Sequence, residues 1–140
     1  MIPRLIENIL FARLTTLHKV IILLGARQVG KTTLLSALQT RLTQEGKVVR
    51  YLNCDLLSVR SALQVEEAVA LKAFLGEQDL VVLDEAQQIE NIGRILKILV
   101  DEFPAMQVIA TGSSSFGLGN QTAEPLTGRM YRFALYPLSL

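Results

Sequence analysis

Two short stretches carry the residues that could do chemistry. Gly25-Ala26-Arg27-Gln28-Val29-Gly30-Lys31-Thr32 matches the spacing GxxxxGK[ST]. A loop that wraps a polyphosphate with its backbone N–H groups needs close approach and unusual dihedrals, which glycines at both ends permit. Lys31 would set a compact positive charge against the β- and γ-phosphates. Thr32 would offer a hydroxyl to Mg²⁺ and open a helix whose first N–H groups favour anions. Thr33 continues that first turn. The side chains of Arg27 and Gln28 fill variable positions, so their backbone is what the loop uses.

The second stretch is Leu80-Val81-Val82-Leu83-Asp84-Glu85. Four apolar residues followed by two acids read as a buried strand that delivers carboxylates at its C-terminal end, where open α/β sheets bind ligands. Asp84 would hold the Mg²⁺ shell through water, opposite Thr32. Glu85 would polarise the attacking water. The competing reading makes the pair a cap for the next helix. Gln87 and Gln88 follow, either on the γ-phosphate side or as solvated loop amides. A further strand ends in Thr111-Gly112-Ser113, where a hydroxyl could sit between the acids and a γ-phosphate, or simply form a serine-rich turn. Arg129 has two readings, one facing a phosphate or a neighbouring domain and the other an ordinary surface arginine.

These residues need a frame. Val20 to Leu24, Leu80 to Leu83 and Val108 to Ala110 are apolar throughout, as strands buried on both faces are. Val48 to Leu52 is β-branched and aromatic, and Met130 to Leu135 alternates more, which suits an edge. Helical spacing is expected over Thr32 to Leu42, Ala62 to Leu75 and Ile89 to Phe103, with Gly76 and Pro104 as stops. Strands alternating with helices imply an α/β fold with an open parallel sheet. Gly112 to Thr127 has little periodicity and reads as a long loop.

Composition narrows the classes. The chain has 140 residues, one domain's worth, half of them hydrophobic. Fourteen basic and thirteen acidic side chains nearly cancel, which disfavours a strongly basic nucleic-acid module. One cysteine, Cys54, and one histidine, His18, exclude a disulfide framework and a zinc site. No apolar run approaches the roughly 20 residues of a spanning helix, and no signal peptide is evident, so a cytoplasmic, membrane-free protein is expected.

Together the run GARQVGKTTLL (25–35), VVLDEAQ (81–87), ATGSSS (110–115), LTGR (126–129) and YPLSL (136–140) resemble the AAA-type ATPase core of a large prokaryotic family whose members carry a C-terminal domain of uncharacterised function. The resemblance covers essentially the whole chain, including IPRLIENIL (2–10). It implies a P-loop domain over residues 1–140, a three-layer α/β/α sandwich of the AAA/ASCE type with a mostly parallel five-stranded sheet in the order 5-1-4-3-2. It implies ATP and Mg²⁺ as cofactors, with residues 25–33 on the nucleotide and Thr32 and Asp84 on the metal. Glu85 becomes the catalytic base, Thr111 or Ser113 the sensor, and Arg129 an arginine acting on the nucleotide or an interface.

In that family the PLS motif is followed by an acidic segment and a long remainder, whereas this sequence stops at Leu140. A truncated ATPase is therefore expected, weak or inactive alone, without its lid and C-terminal domain and with an exposed apolar patch that favours self-association. ATP and ADP, the absent C-terminal domain, a homo-oligomer and a DNA or protein client are the expected partners. The alternative to a motor or switch driven by hydrolysis is a nucleotide-dependent interaction or DNA-associated module with little turnover. A GTPase is disfavoured by the lack of an Asn-Lys-x-Asp motif, and a small-molecule kinase by the lack of a basic substrate lid.

Overall fold

The computed structural model of the chain describes residues 7–9, 11–12, 20–25, 31–112 and 128–130, and the backbone of 131–135. Five strands form one sheet: β1 (Val20–Gly25), β2 (Val49–Asn53), β3 (Leu80–Asp84), β4 (Gln107–Gly112) and β5 (Met130–Leu135). Their order is β2-β3-β4-β1-β5 and all four ladders are parallel. Read from the β5 edge, that order is 5-1-4-3-2. The three strands between the edges are the three continuous apolar runs, and β2 and β5 form the edges.

Side chains along each central strand alternate between the two faces. Ile21, Leu23, Leu80, Val82 and Ile109 pack under α1 (Lys31–Gln44) through its Leu34, Leu35, Leu38 and Leu42. Val20, Ile22, Leu24, Val81, Leu83, Val108 and Ala110 face the other way. There they meet α2 (Leu57–Leu63), α3 (Ala68–Leu75) and α4 (Ile92–Glu102). Helices on both faces make the three-layer α/β/α sandwich. Residues 7–9 and 11–12 are helical and lie on α1, where the Arg41 guanidinium sits 3.9 Å from the centre of the Phe11 ring and donates to Asn8 at 2.8 Å.

The helix expected over Ala62 to Leu75 is two helices. The chain breaks at Gln64–Glu67, where Gln64 Oε1 accepts the Glu90 N–H at 3.2 Å and Glu66 pairs with Arg94 at 3.2 Å. Tertiary partners win there over local propensity. α3 ends at Gly76, whose φ of 72° favours glycine, and Arg50 of β2 donates to the Phe74 and Leu75 carbonyls at 2.8 Å each.

The helix expected from Ile89 begins at Ile92. Asn91 takes φ 57°, outside helical space, and Ala86–Gln88 form a single 3₁₀ turn, leaving Ile89 buried between the two. Among the described residues no helix is long and apolar enough to cross a membrane. The long loop expected over 112–127 lies, beyond Gly112, outside the described residues.

Candidate functional site

Lys31 begins α1 on one face of the sheet. Asp84 ends β3, in phase with Leu80 and Val82, so the two-residue period aims it at that same α1 face. Thr111 is in phase with Ile109 on β4 and joins them. The fold thus carries three polar side chains to one corner, at the C-terminal edge of the sheet. Lys31 and Thr111 are 2% and 0% exposed there, unusual burial for polar groups unless they are paired.

They are paired. Lys31 Nζ donates to Glu85 Oε2 at 3.0 Å and stands 3.9 Å from Asp84 Oδ1. The Thr111 hydroxyl donates to Asp84 Oδ1, which also accepts the Glu85 N–H at 3.1 Å. That same N–H reaches Thr111 Oγ1 at 3.2 Å. The Gln87 amide nitrogen donates to Glu85 Oε1 at 2.8 Å. Glu85 is buried and has left-handed backbone, φ 55° and ψ 46°, which non-glycine residues adopt at a cost. That turn swings its carboxylate away from the strand direction and against Lys31.

Sequence reasoning missed Tyr51. Its hydroxyl donates to Asp84 Oδ2 from the neighbouring edge strand. Tyr51 pairs in register with Val82, and Val82 shares a face with Asp84, so the phenol lies beside the carboxylate. The signal existed in the alternation, but the β2–β3 register that uses it is set by tertiary pairing. Burial, then the Asp84 bond and charge, push the Tyr51 phenol above its ordinary range. Burial chiefly, helped by Asp84, Asp55 and Glu85, pushes the Cys54 thiol up to about 12, against a smaller lowering by Arg60.

Other expected site residues lie elsewhere. Gly25 closes β1 beside Leu135 of β5, and Thr32 and Thr33 are exposed in the first turn of α1. Ala26, Arg27, Gln28, Val29, Gly30 and Ser113 fall outside the described residues. Arg129 is not brought to Lys31. Its carbonyl accepts the Val20 N–H at 2.9 Å at the start of β1, and its Nε pairs with Asp101 at 2.9 Å. A six-residue strand spans about 20 Å, which puts Arg129 at the opposite edge of the sheet. Contact with a phosphate at Lys31 of its own chain is not provided by this geometry, and the interface and ordinary surface readings both stay compatible with it.

The corner fits Mg²⁺ on its donor chemistry. Asp84 and Glu85 face one ammonium, so negative charge on hard oxygen atoms is in surplus. Among the described residues no group of three or more His, Cys, Asp or Glu side chains could cage a metal by itself. Mg²⁺ typically takes one or two carboxylates plus phosphate oxygens and water, which suits a corner that supplies an aspartate and a glutamate.

Comparisons with known proteins agree with this architecture. The chain is 34% identical over 118 residues to an uncharacterized protein of Mycobacterium tuberculosis, covering 81% of this chain and 24% of that one. It is 31% identical over 128 residues to an uncharacterized protein of Methanocaldococcus jannaschii, covering 86% and 26%. It thus spans about a quarter of the length of these relatives. Among solved structures, AMPPCP-bound DnaA from Aquifex aeolicus is similar with a TM-score of 0.65 at 20% identity, over 94% of this chain and 46% of that one. DnaI is similar with a TM-score of 0.61 at 17% identity, over 93% and 80%. A family model described as AAA domain matches residues 17–140. With the phosphate-loop spacing, the paired acids and the parallel sheet already in place, that match makes the chain a member of the AAA domain family, with an AAA-type P-loop ATPase core.

Proposed function

We propose that the chain binds Mg-ATP and hydrolyses it, using the cycle as a conformational motor or switch. The observation that carries this reading is the convergence of Lys31, Asp84, Glu85 and Thr111 on one corner, with Lys31 Nζ 3.0 Å from Glu85 and 3.9 Å from Asp84.

Residues 25–33 would cradle the phosphates. Lys31 would exchange Glu85 for the β- and γ-phosphate oxygens, because a multiply charged phosphate chain outcompetes one carboxylate for an ammonium. Released from Lys31, Glu85 accepts a proton from water as that water attacks the γ-phosphorus, and the bond to the β–γ bridging oxygen breaks to give ADP and phosphate. Mg²⁺, held by Asp84 and the Thr32 hydroxyl, would neutralise charge on the phosphate oxygens. Thr111 and Tyr51 keep Asp84 oriented meanwhile. The exchange of partners at Lys31 supplies the switch, since Lys31 is the first residue of α1.

A cytoplasmic location, ATP and ADP as ligands, a homo-oligomer, and a client that is protein or DNA belong to this proposal. So does cooperation with the rest of a longer chain such as the relatives possess. Calorimetry and thermal unfolding test the core of it. Mg-ATP at 100 times its dissociation constant should stabilise the fold by about 2.7 kcal/mol. Lys31→Ala should abolish the effect. Glu85→Gln should keep binding and lose turnover. Unaltered melting at millimolar Mg-ATP would sink the reading.

A further inference from the structure

Glu85 is held by more than Lys31. Its two carboxylate oxygens have different partners: Oε2 takes the Lys31 ammonium at 3.0 Å, and Oε1 takes the Gln87 amide nitrogen at 2.8 Å. The tie to Gln87 is local and built into the backbone. Glu85 is left-handed, and the 3₁₀ turn Ala86–Gln88 that follows folds the chain back, with the Gln88 N–H on the Glu85 carbonyl at 3.1 Å and Ile89 on Ala86 at 3.0 Å. Fully buried Ala86 and Ile89 anchor that turn in the core. A side chain two residues after the acid is thereby returned to the acid.

The amide has only one sensible orientation. A carboxylate accepts and cannot donate, so the nitrogen must face Glu85. This leaves Gln87 Oε1 enclosed and without a hydrogen-bond partner among the described residues. Native folds rarely tolerate a buried acceptor in that condition, and such exceptions call for an explanation. The explanation offered by the corner is that the nitrogen's bond to Glu85 is what the position is kept for.

The geometry points to Gln87 as a positioning residue for the catalytic base. It fixes Oε1 of Glu85 so that Oε2, the oxygen now facing Lys31, is the atom that takes the proton from water. This rests on the hydrolytic reading above. When Lys31 turns to phosphate, the Gln87 bond remains and stops the carboxylate from following it. Oε2 is then left facing the place that the lysine has vacated.

The test uses ATP turnover and nucleotide affinity measured on the same preparations across pH. Gln87→Leu removes the donor with little change of volume. It should lower kcat by about 100-fold, the scale of an ångström's misplacement at a reacting centre, with KM and ADP affinity unchanged. Gln87→Glu is the more telling variant. A neutral carboxyl at 87 donates to Glu85 as the amide does, whereas an ionised one repels it. Its kcat should approach the wild-type value at low pH and fall as pH rises, giving an alkaline limb that the wild type lacks.

A residue with only a structural role would change the melting temperature without creating that limb. Gln87→Leu turning over within twofold of wild type, or Gln87→Glu following the wild-type pH profile, overturns the assignment while Glu85→Gln stays inactive. Should Gln87→Leu fail to fold, the Gln87→Glu profile decides alone. If wild type and Glu85→Gln turn over equally, the base assignment itself has failed, and the role of Gln87 falls with it.

Discussion

Lys31 Nζ and Glu85 Oε2 form a buried ion pair at 3.0 Å, joining the first residue of α1 to the residue that leaves β3. The side chains are 3% and 6% exposed, so neither charge is well served by water. Removing one partner of such a pair is far more damaging than removing both.

Lys31→Ala should therefore destabilise the chain by about 3–5 kcal/mol in urea unfolding without nucleotide. Lys31→Met combined with Glu85→Gln should lose much less than the sum of the single changes. Additive losses in this double-mutant cycle would show that the two residues do not depend on each other.

Thr111 is fully buried and donates its hydroxyl to Asp84. Thr111→Val keeps the shape and removes the donor, at an expected cost of about 1.5–3 kcal/mol for a bond to a charged acceptor. Thr111→Ser keeps the hydroxyl and should cost less. Equal unfolding midpoints for the valine and serine variants would contradict a role for the hydroxyl.

The Arg129–Asp101 pair is of another kind, with side chains 41% and 37% exposed. Arg129→Ala should change stability by less than about 1 kcal/mol. Nucleotide affinity of the monomer should stay the same, since Arg129 lies at the far edge of the sheet. Any loss of turnover should appear only at protein concentrations where copies associate, read by sedimentation alongside the ATPase rate.

Cys54 offers a check on the packing behind Asp84, whose carbonyl accepts the Cys54 N–H at 2.9 Å. The thiol is 0% exposed, so a thiol reagent at pH 8 should label the folded chain far more slowly than the unfolded one. The folded thiol holds its proton to about 12, against an ordinary value of 9.0. The folded state thus binds the proton more tightly. Its contribution to stability is complete below pH 9 and is lost as pH rises from there towards 12. Cys54→Ala should flatten that alkaline decline, with Tyr51 supplying what remains. An identical pH dependence in the variant would refute the assignment.

Much of this molecule was readable in its residues, and the reasons are physical. Val20–Leu24 and Leu80–Leu83 are apolar at every position because both faces of the sheet are covered, and that pattern needs no partner to be recognised. Asp84, Glu85 and Lys31 announced themselves by type and spacing. What escaped was what depends on register or on distant partners. No glycine or proline marks the break between α2 and α3, which Glu90 and Arg94 hold from another part of the chain. Asn91 did carry a local hint, since asparagine tolerates left-handed backbone, and it delays α4 to Ile92. Tyr51 reaches Asp84 only once β2 pairs with β3.

The left-handed backbone of Glu85 has a consequence for anyone altering this protein. Glycine or asparagine at 85 would relax that φ, yet either would leave the Lys31 ammonium buried without its partner at 3.0 Å, so a stability screen would reject the change that backbone preference favours. The carboxylate would be gone. Position 85 is thus where local backbone preference and the buried charge of Lys31 pull in opposite directions. The residue found there records which of the two prevailed.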